Sequence, residues 1–251
     1  MAEHGYAGSH SSVYRFIKHL QPGLDQGVIR VETAPGVEAQ VEFGYAGLLV
    51  DPQTGRKRKA WVFVMVLSHS RHMFAKLVFD QTIPTWLRCH VEAFAWFGGV
   101  PERIVPDNLK VAVVRDCWTD PVAQRSYRDL ALHYGLLISP CRPRTPQHKG
   151  KVESGVHYIC RNFLAGREFV DITTADRLLQ RWLMETAGLR RHGTTGWQPA
   201  VRFQDVERDQ LQPLPTVPFE LGQWRRAKLH RDCRGGPRIS DSMLRWLPAF
   251  N

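Results

Sequence analysis

Three acidic residues, Glu42, Asp107 and Glu153, fall where the chain changes character. Glu42 lies in the alternating stretch Val37 to Phe43, and Asp107 follows the short apolar stretch Arg103 to Val105. Glu153 lies in a helical pattern running from His148 to Leu164. Carboxylates gathered from such positions could do phosphodiester chemistry. Breaking that bond at neutral pH needs an activated water and a stabilised leaving oxygen, and two Mg²⁺ ions about 3.5–4 Å apart supply both. Mg²⁺ takes hard oxygen ligands, with few carboxylates per ion. Clustered carboxylates without a cation repel one another, so such a cluster implies a metal.

The spacing alone does not define a site, because the chain holds 24 acidic residues. The residues around Glu153 say more: Arg142, Arg144, His148, Lys149 and Lys151 crowd beside one carboxylate, and Asn108 and Lys110 follow Asp107. A solvated basic loop is the plain reading. The sharper one is a phosphate-gripping edge, since cations neutralise a nucleic-acid backbone without reading its sequence.

The elements that would position these residues can be read from periodicity. Val37 to Phe43, the unbroken apolar run Ala60 to Leu67, and Met73 to Phe79 read as three consecutive strands, the second buried on both faces. Thr82 to Phe97 has helical spacing, with Thr82 as N-cap, Pro84 in the first turn and Gly98-Gly99 closing it. A strand at Arg103–Val105, a helix from Pro121 to Tyr134, a strand at Leu136–Ser139 and the helix carrying Glu153 follow. A meander followed by βα units gives an α/β fold: a mixed five-stranded sheet with helices on both faces, in the order of ribonuclease H. The first and fourth strands are then neighbours, which brings Glu42 and Asp107 to one sheet edge.

Thr174 to Arg191 reads as a further helix with Leu178, Leu179, Trp182 and Leu183 on its apolar face, ended by Gly193–Gly196. The proline-rich segment Gln212–Pro218 reads as a boundary. Near the start, Ser11 to Leu20 has a helical period, and Val28 to Val31 has strand character.

Bulk composition agrees with a nucleic-acid partner. The formal charge is +10 and the pI near 9.7, a surplus that suits a polyanion. Five cysteines without a CxxC pair argue against a disulfide framework or a cysteine-rich zinc site and fit a reducing cytoplasm. The first residues lack an apolar core, so no signal peptide is expected. The run Ala60–Leu67 is too short to span a bilayer, so no membrane association is expected. No glycine-rich phosphate loop is present, so the chain has no nucleotide-hydrolysis site of its own. Trp61, Trp86 and Trp96 read as core.

Several ordered segments carry a resemblance: Val31–Gly36, Ala39-Gln-Val-Glu-Phe-Gly44, Trp61–Leu67, Ser70-Arg-His72, Trp96–Pro101, Asp107-Asn-Leu-Lys110, Gly150-Lys-Val-Glu-Ser154 and His192-Gly-Thr-Thr195. Together they resemble the transposases of the IS21 family, over about residues 3 to 233. The resemblance implies an integrase catalytic core with an Asp-Asp-Glu triad, metal-dependent DNA cleavage and strand transfer, and one or both of Mg²⁺ and Mn²⁺, taken as two ions. It places the acids at Glu42, Asp107 and Glu153. It also implies an ATPase helper protein of the same element, a homo-oligomer on DNA, and a bacterial cytoplasmic location.

The resemblance divides the chain into a remnant of an N-terminal helix-turn-helix region with linker (1–33), the catalytic core (34–168), a helical extension (169–210) and a truncated C-terminal segment (211–251). One departure concerns chemistry: Glu42 stands where the family usually has aspartate. The extra methylene adds about 1.5 Å, against a tolerance of about 0.5 Å in productive sites. The expectation is strongly reduced activity. Two rivals follow: a catalytically impaired DNA-binding remnant, and a nuclease of the same fold acting on RNA–DNA hybrids.

Overall fold

The computed structural model describes residues 12, 16, 32–106, 121–139 and 150–222. Asp107, Lys110, Arg142, Arg144, His148 and Lys149 lie outside these residues. So do nearly all of Ser11–Leu20 and the whole of Val28–Val31.

Five strands form one sheet: β1 (Glu38–Val50), β2 (Lys57–Leu67), β3 (Met73–Val78), β4 (Arg103–Pro106) and β5 (Leu137–Ile138). Their spatial order is β3-β2-β1-β4-β5. The first three run antiparallel to one another, while β4 lies parallel to β1 and β5 parallel to β4. This is the mixed, ribonuclease-H-like sheet expected from the element order.

From Ala60 onward strand β2 is apolar on both faces because it has helices on both sides. Phe63, Met65 and Leu67 face one core, with Trp86, Leu87 and Phe94 of α1 (Ile83–Phe97) and Tyr127 and Leu130 of α2 (Pro121–Tyr134). Val62, Val64 and Val66 face the other, with Val152 and Ile159 of α3 (Gly150–Ile159) and Leu179 and Trp182 of α4 (Ile172–Trp182). Two apolar layers therefore meet at one strand, and each side chain on it is worth roughly 1.5–3 kcal/mol of burial. Trp86 is fully buried, and Trp61 and Trp96 pack against the cores.

Local chemistry sets the helix ends. Thr82 caps α1 by accepting from the Thr85 amide, and Gly98 ends it at φ 69°, a left-handed turn that favours glycine. Asp171 caps α4, accepting from the Thr174 amide at 2.7 Å. From α4, Asp176 accepts the Leu77 amide of β3 at 2.8 Å, and Gln180 donates to the Ala75 carbonyl at 2.6 Å.

Several boundaries differ from expectation. Strand β1 runs on to Val50 through a register shift between Tyr45 and Gly47, the latter at φ 93°. The helix expected over Thr174–Arg191 starts at Ile172, and its last turn is a π-turn over Leu183–Ala187. The Gly188 amide closes that turn on Leu183 O at 2.8 Å, and a Cβ at Gly188 would lie 3.0 Å from Ala200 Cβ. Leu178, expected on the buried face, is 39 % exposed, and Ala175 takes its place in the core. Helix α3 likewise ends at Ile159 and continues as a π-turn, Cys160–Leu164.

Residues beyond 210 pack on the first core: Gln212 bridges to Val100, and Leu211, Phe219 and Leu221 lie against it. No helix among the described residues is long and apolar enough to cross a membrane.

Candidate active site

Side chains alternate along β1. Ala39, Val41 and Phe43 point into the α1 core, so Gln40, Glu42 and Gly44 share the opposite face. Helix α3 lies across that face. Gln40 Oε1 accepts from the Val152 amide at 3.3 Å, next to Glu153 in the first turn of the helix. A Cβ placed on Gly44 would fall 2.2 Å from Val156 Cγ1. Glycine is therefore needed at position 44 for the helix to come this close. Glu42, half-buried, lies between these two contacts.

Glu153 sits on the flank of α3 that also carries Cys160, two turns on. Cys160 Sγ donates to Tyr45 O of β1 at 3.6 Å. Glu153 is exposed on this flank. Strand β4 ends at Pro106, in parallel register with Val41, the neighbour of Glu42. The structure thus brings Glu42 and Glu153 to one helix–sheet contact, and the described part of β4 ends beside it, one residue before Asp107. Among the described residues, no group of three or more His, Cys, Asp or Glu side chains is placed to hold a metal.

Lys151 is the one described member of the expected basic set. It is half-buried, and its Nζ donates to Thr33 Oγ1 at 2.9 Å and approaches Glu38 Oε1 at 3.9 Å. Burial first, then the nearby Arg71 guanidinium, push its pKa down to about 8, against the pull of Glu38.

Sequence reasoning passed over Glu38, two residues before Gln40 on the same face. Its side chain is almost fully buried. Oε1 accepts from Ser68 Oγ at 2.7 Å and from Gln40 Nε2 at 3.2 Å, while Oε2 accepts from Arg103 Nη2 at 2.9 Å and Nε at 3.1 Å. Burial alone would raise this carboxyl. Ser68, Lys151, Arg103 and Gln40 outweigh it and hold the group below the usual range. The charged Glu38 fixes the Gln40 amide so that its oxygen faces Val152. The signal available in the sequence was the Glu38-Ala-Gln40-Val-Glu42 alternation, three polar side chains on one strand face.

Comparison with known proteins gives the chain a class. The integrase core domain family matches residues 48–146, a span that begins after Glu42 and ends before Glu153. The particular kin are transposases. The chain is 30% identical over 220 residues to the transposase for insertion sequence element IS21 of Pseudomonas aeruginosa, covering 86% of this chain and 55% of that one. It is 33% identical over 195 residues to a transposase for an IS21-like element of Bacteroides fragilis, covering 75% and 36%. A provisionally named transposase of Mycobacterium tuberculosis is 40% identical over 227 residues, covering 88% and 55%.

The chain is thus a homologue of IS21-family transposases carrying an integrase core. It spans about half the length of these curated relatives. Among solved structures, the HTLV-2 integrase catalytic core domain in complex with magnesium aligns with TM-score 0.46 and 15% identity, over 68% of this chain and 97% of that one. The fold assignment rests on the strand order, not on this likeness.

Proposed function

We propose that the chain is the catalytic core of an insertion-sequence transposase that cuts DNA and joins the freed end to a target, with Glu42, Asp107 and Glu153 as metal ligands. The observation that supports it is the pairing of Glu42 on β1 with the Glu153 end of α3, through the Gln40–Val152 bond and the close Gly44–Val156 approach. The two described acids offer hard oxygen donors, which suits Mg²⁺ or Mn²⁺. When bound, two such ions supply an activated oxygen nucleophile and neutralise charge on the leaving oxygen.

The rest is the work of the chain's own residues. Glu38 and Gln40 hold the first turn of α3 in place, and with it Glu153. Lys151, with Arg142, Arg144, His148, Lys149 and Lys110, lends positive charge for the phosphate backbone. Cleavage uses water and joining uses the freed 3′-hydroxyl. In this reading residues 34–168 form the core, 169–210 extend it, 1–33 belong to a flanking unit, and 211–251 are a C-terminal segment whose first residues pack on the core. The partners are the DNA ends and target, an ATPase helper of the same element and further copies of the chain on DNA, all in a bacterial cytoplasm.

The test is strand cutting and joining on a branched DNA substrate in Mg²⁺ and in Mn²⁺. The chain is compared with Glu42→Asp and with Asp107→Asn. Activity that Asp107→Asn abolishes supports a working core. Activity only in Glu42→Asp means a sound scaffold with a disabled site. DNA binding with no cutting by any form favours a DNA-binding remnant.

A further inference from the structure

Two of the segments that carry the family resemblance, Ser70-Arg71-His72 and His192-Gly193-Thr194-Thr195, supply none of the candidate metal ligands. Arg71 of the first and all four residues of the second line a cleft of about 840 Å³ on the other flank of α3. The β2–β3 turn forms one wall, Lys151 and Tyr158 of α3 a second, and the loop over residues 190–197 a third. Five cations line it, Arg71, Lys151, Arg190, Arg191 and Arg202, against a single carboxylate, the exposed Glu32.

Several of these cations are held in place before any ligand arrives. The Arg190 guanidinium lies 3.7 Å from the centre of the Tyr158 ring and donates to Ala187 O at 2.6 Å. Arg202 lies over Trp197 and donates its Nε to His69 Nε2 at 3.1 Å. His192 Nδ1 accepts from the Thr194 and Thr195 amides at 3.3 and 3.4 Å, which folds the loop and leaves its other nitrogen as a donor. Arg71 has a φ of 65°, unusual for a residue with a side chain. Its Nε and Nη1 are buried and have no hydrogen-bond partner. The two carboxylates whose charge faces it are engaged by other donors: Glu207 by the amides of Ser70 and Gly36 at 2.9 and 3.2 Å, and Glu38 by Arg103 and Ser68.

A buried guanidinium with idle donors is costly unless something accepts from it. The planar donor fork suits phosphate oxygens, which it can bind in pairs. A nucleic-acid strand supplies phosphates in a row. An α-helix is about 10 Å across and a strand rises about 3.4 Å per nucleotide. A phosphate seated here would therefore lie within a few nucleotides of the Glu153 flank.

We propose that this cleft seats a backbone phosphate of the DNA, with Arg71 as its main ligand and Arg190, Arg191 and Arg202 around it. The proposal rests on the reading that DNA is the substrate. It adds a gripping point across α3 from the acids, built by two segments that are remote in sequence.

The test is binding of a labelled random-sequence DNA duplex to the full chain, followed by anisotropy over a salt series. The double variant Arg191→Gln/Arg202→Gln spares the core, and Arg71→Lys keeps the charge while removing the paired donors. Lys57→Gln/Lys59→Gln, at the exposed start of β2 outside the cleft, serves as control. Thermal unfolding confirms that each variant is folded.

The expected result is an affinity loss of about tenfold for the double variant, with the salt slope lower by about 0.9 per lost phosphate contact. Arg71→Lys should lose affinity at little change in slope, and the control should match the parent. Cleft variants that bind DNA like the parent would overturn the cleft and leave the catalytic reading standing. A parent chain without salt-dependent DNA binding would overturn both. Tight binding of free nucleotide in preference to DNA would overturn the cleft's assignment to a DNA strand.

Discussion

Gln40 Oε1 accepts the backbone amide of Val152 at 3.3 Å, so a strand side chain holds the first turn of the helix that carries Glu153. The amide belongs to the helix start, where backbone donors lack partners within the helix. Gln40 is in turn oriented by Glu38. We expect Gln40→Leu to orphan a buried donor and lower stability by about 1–3 kcal/mol. Cutting activity should fall further than stability explains, while DNA affinity stays near the parent's. Urea unfolding and the branched-substrate assay check this together. Equal activity in parent and variant would remove Gln40 from the positioning of Glu153.

The Gly44–Val156 approach gives a second prediction. Gly44→Ala puts a methyl 2.2 Å from Val156 Cγ1, and overpacking of this kind costs about 1–3 kcal/mol. Val156→Ala opens space opposite it. The double variant should therefore be more stable than the sum of the two single losses predicts, the mark of residues in contact. Additive losses in chemical unfolding would mean that the helix does not rest on this glycine.

Metal linkage gives a third. A ligand that binds only the folded chain stabilises it by an amount that grows with the logarithm of its concentration. Millimolar Mn²⁺ should raise the melting temperature of the parent, and Glu42→Gln or Glu153→Gln should lose most of that rise. Neither side chain lies in an apolar core, so both variants should fold. A rise that survives both substitutions would place the ion elsewhere.

Two buried histidines set a pH dependence. Burial drives both His72 and His90 down to about 4. His90 is fixed as the neutral form: its Nδ1 donates to Trp86 O at 2.8 Å, and the Tyr127 hydroxyl donates to Nε2 at 3.3 Å. The folded values lie below the unfolded value near 6.5. The stabilisation is therefore complete above pH 6.5 and is lost as pH falls from there towards about 4. Each histidine contributes on the order of 3 kcal/mol over that window. Urea midpoints at pH 7 and pH 4.5 should differ accordingly, and His90→Gln should flatten the trend. A flat profile in the parent would mean that these rings take up protons without unfolding.

Much of the frame was legible because strong local rules agreed with the fold. The run Ala60–Leu67 read as a strand covered on both sides, and Thr82, Pro84 and Gly98 marked both ends of α1. The extension of β1 past Phe43 was hidden because Gly44 and Gly47 interrupt the alternation. One is there for a close helix approach and the other for a bulge. The change to a π-turn after Trp182 was hidden too, and the close approach of Gly188 to Ala200 is a tertiary contact that local pattern does not carry. At the candidate site, Glu42 and Glu153 were visible by type and by resemblance. Glu38 was not, since its role depends on Ser68 and Arg103, which only folding brings near. The cleft was hidden for the same reason, being assembled from separate stretches.

The attachment of α4 to β3 limits how copies of this chain can join. Asp176 occupies the Leu77 amide and Gln180 the Ala75 carbonyl, two of the groups that a strand from another molecule would need. That rim of the sheet is closed to strand addition. Were copies of this chain to meet on DNA, they would have to join elsewhere than along β3.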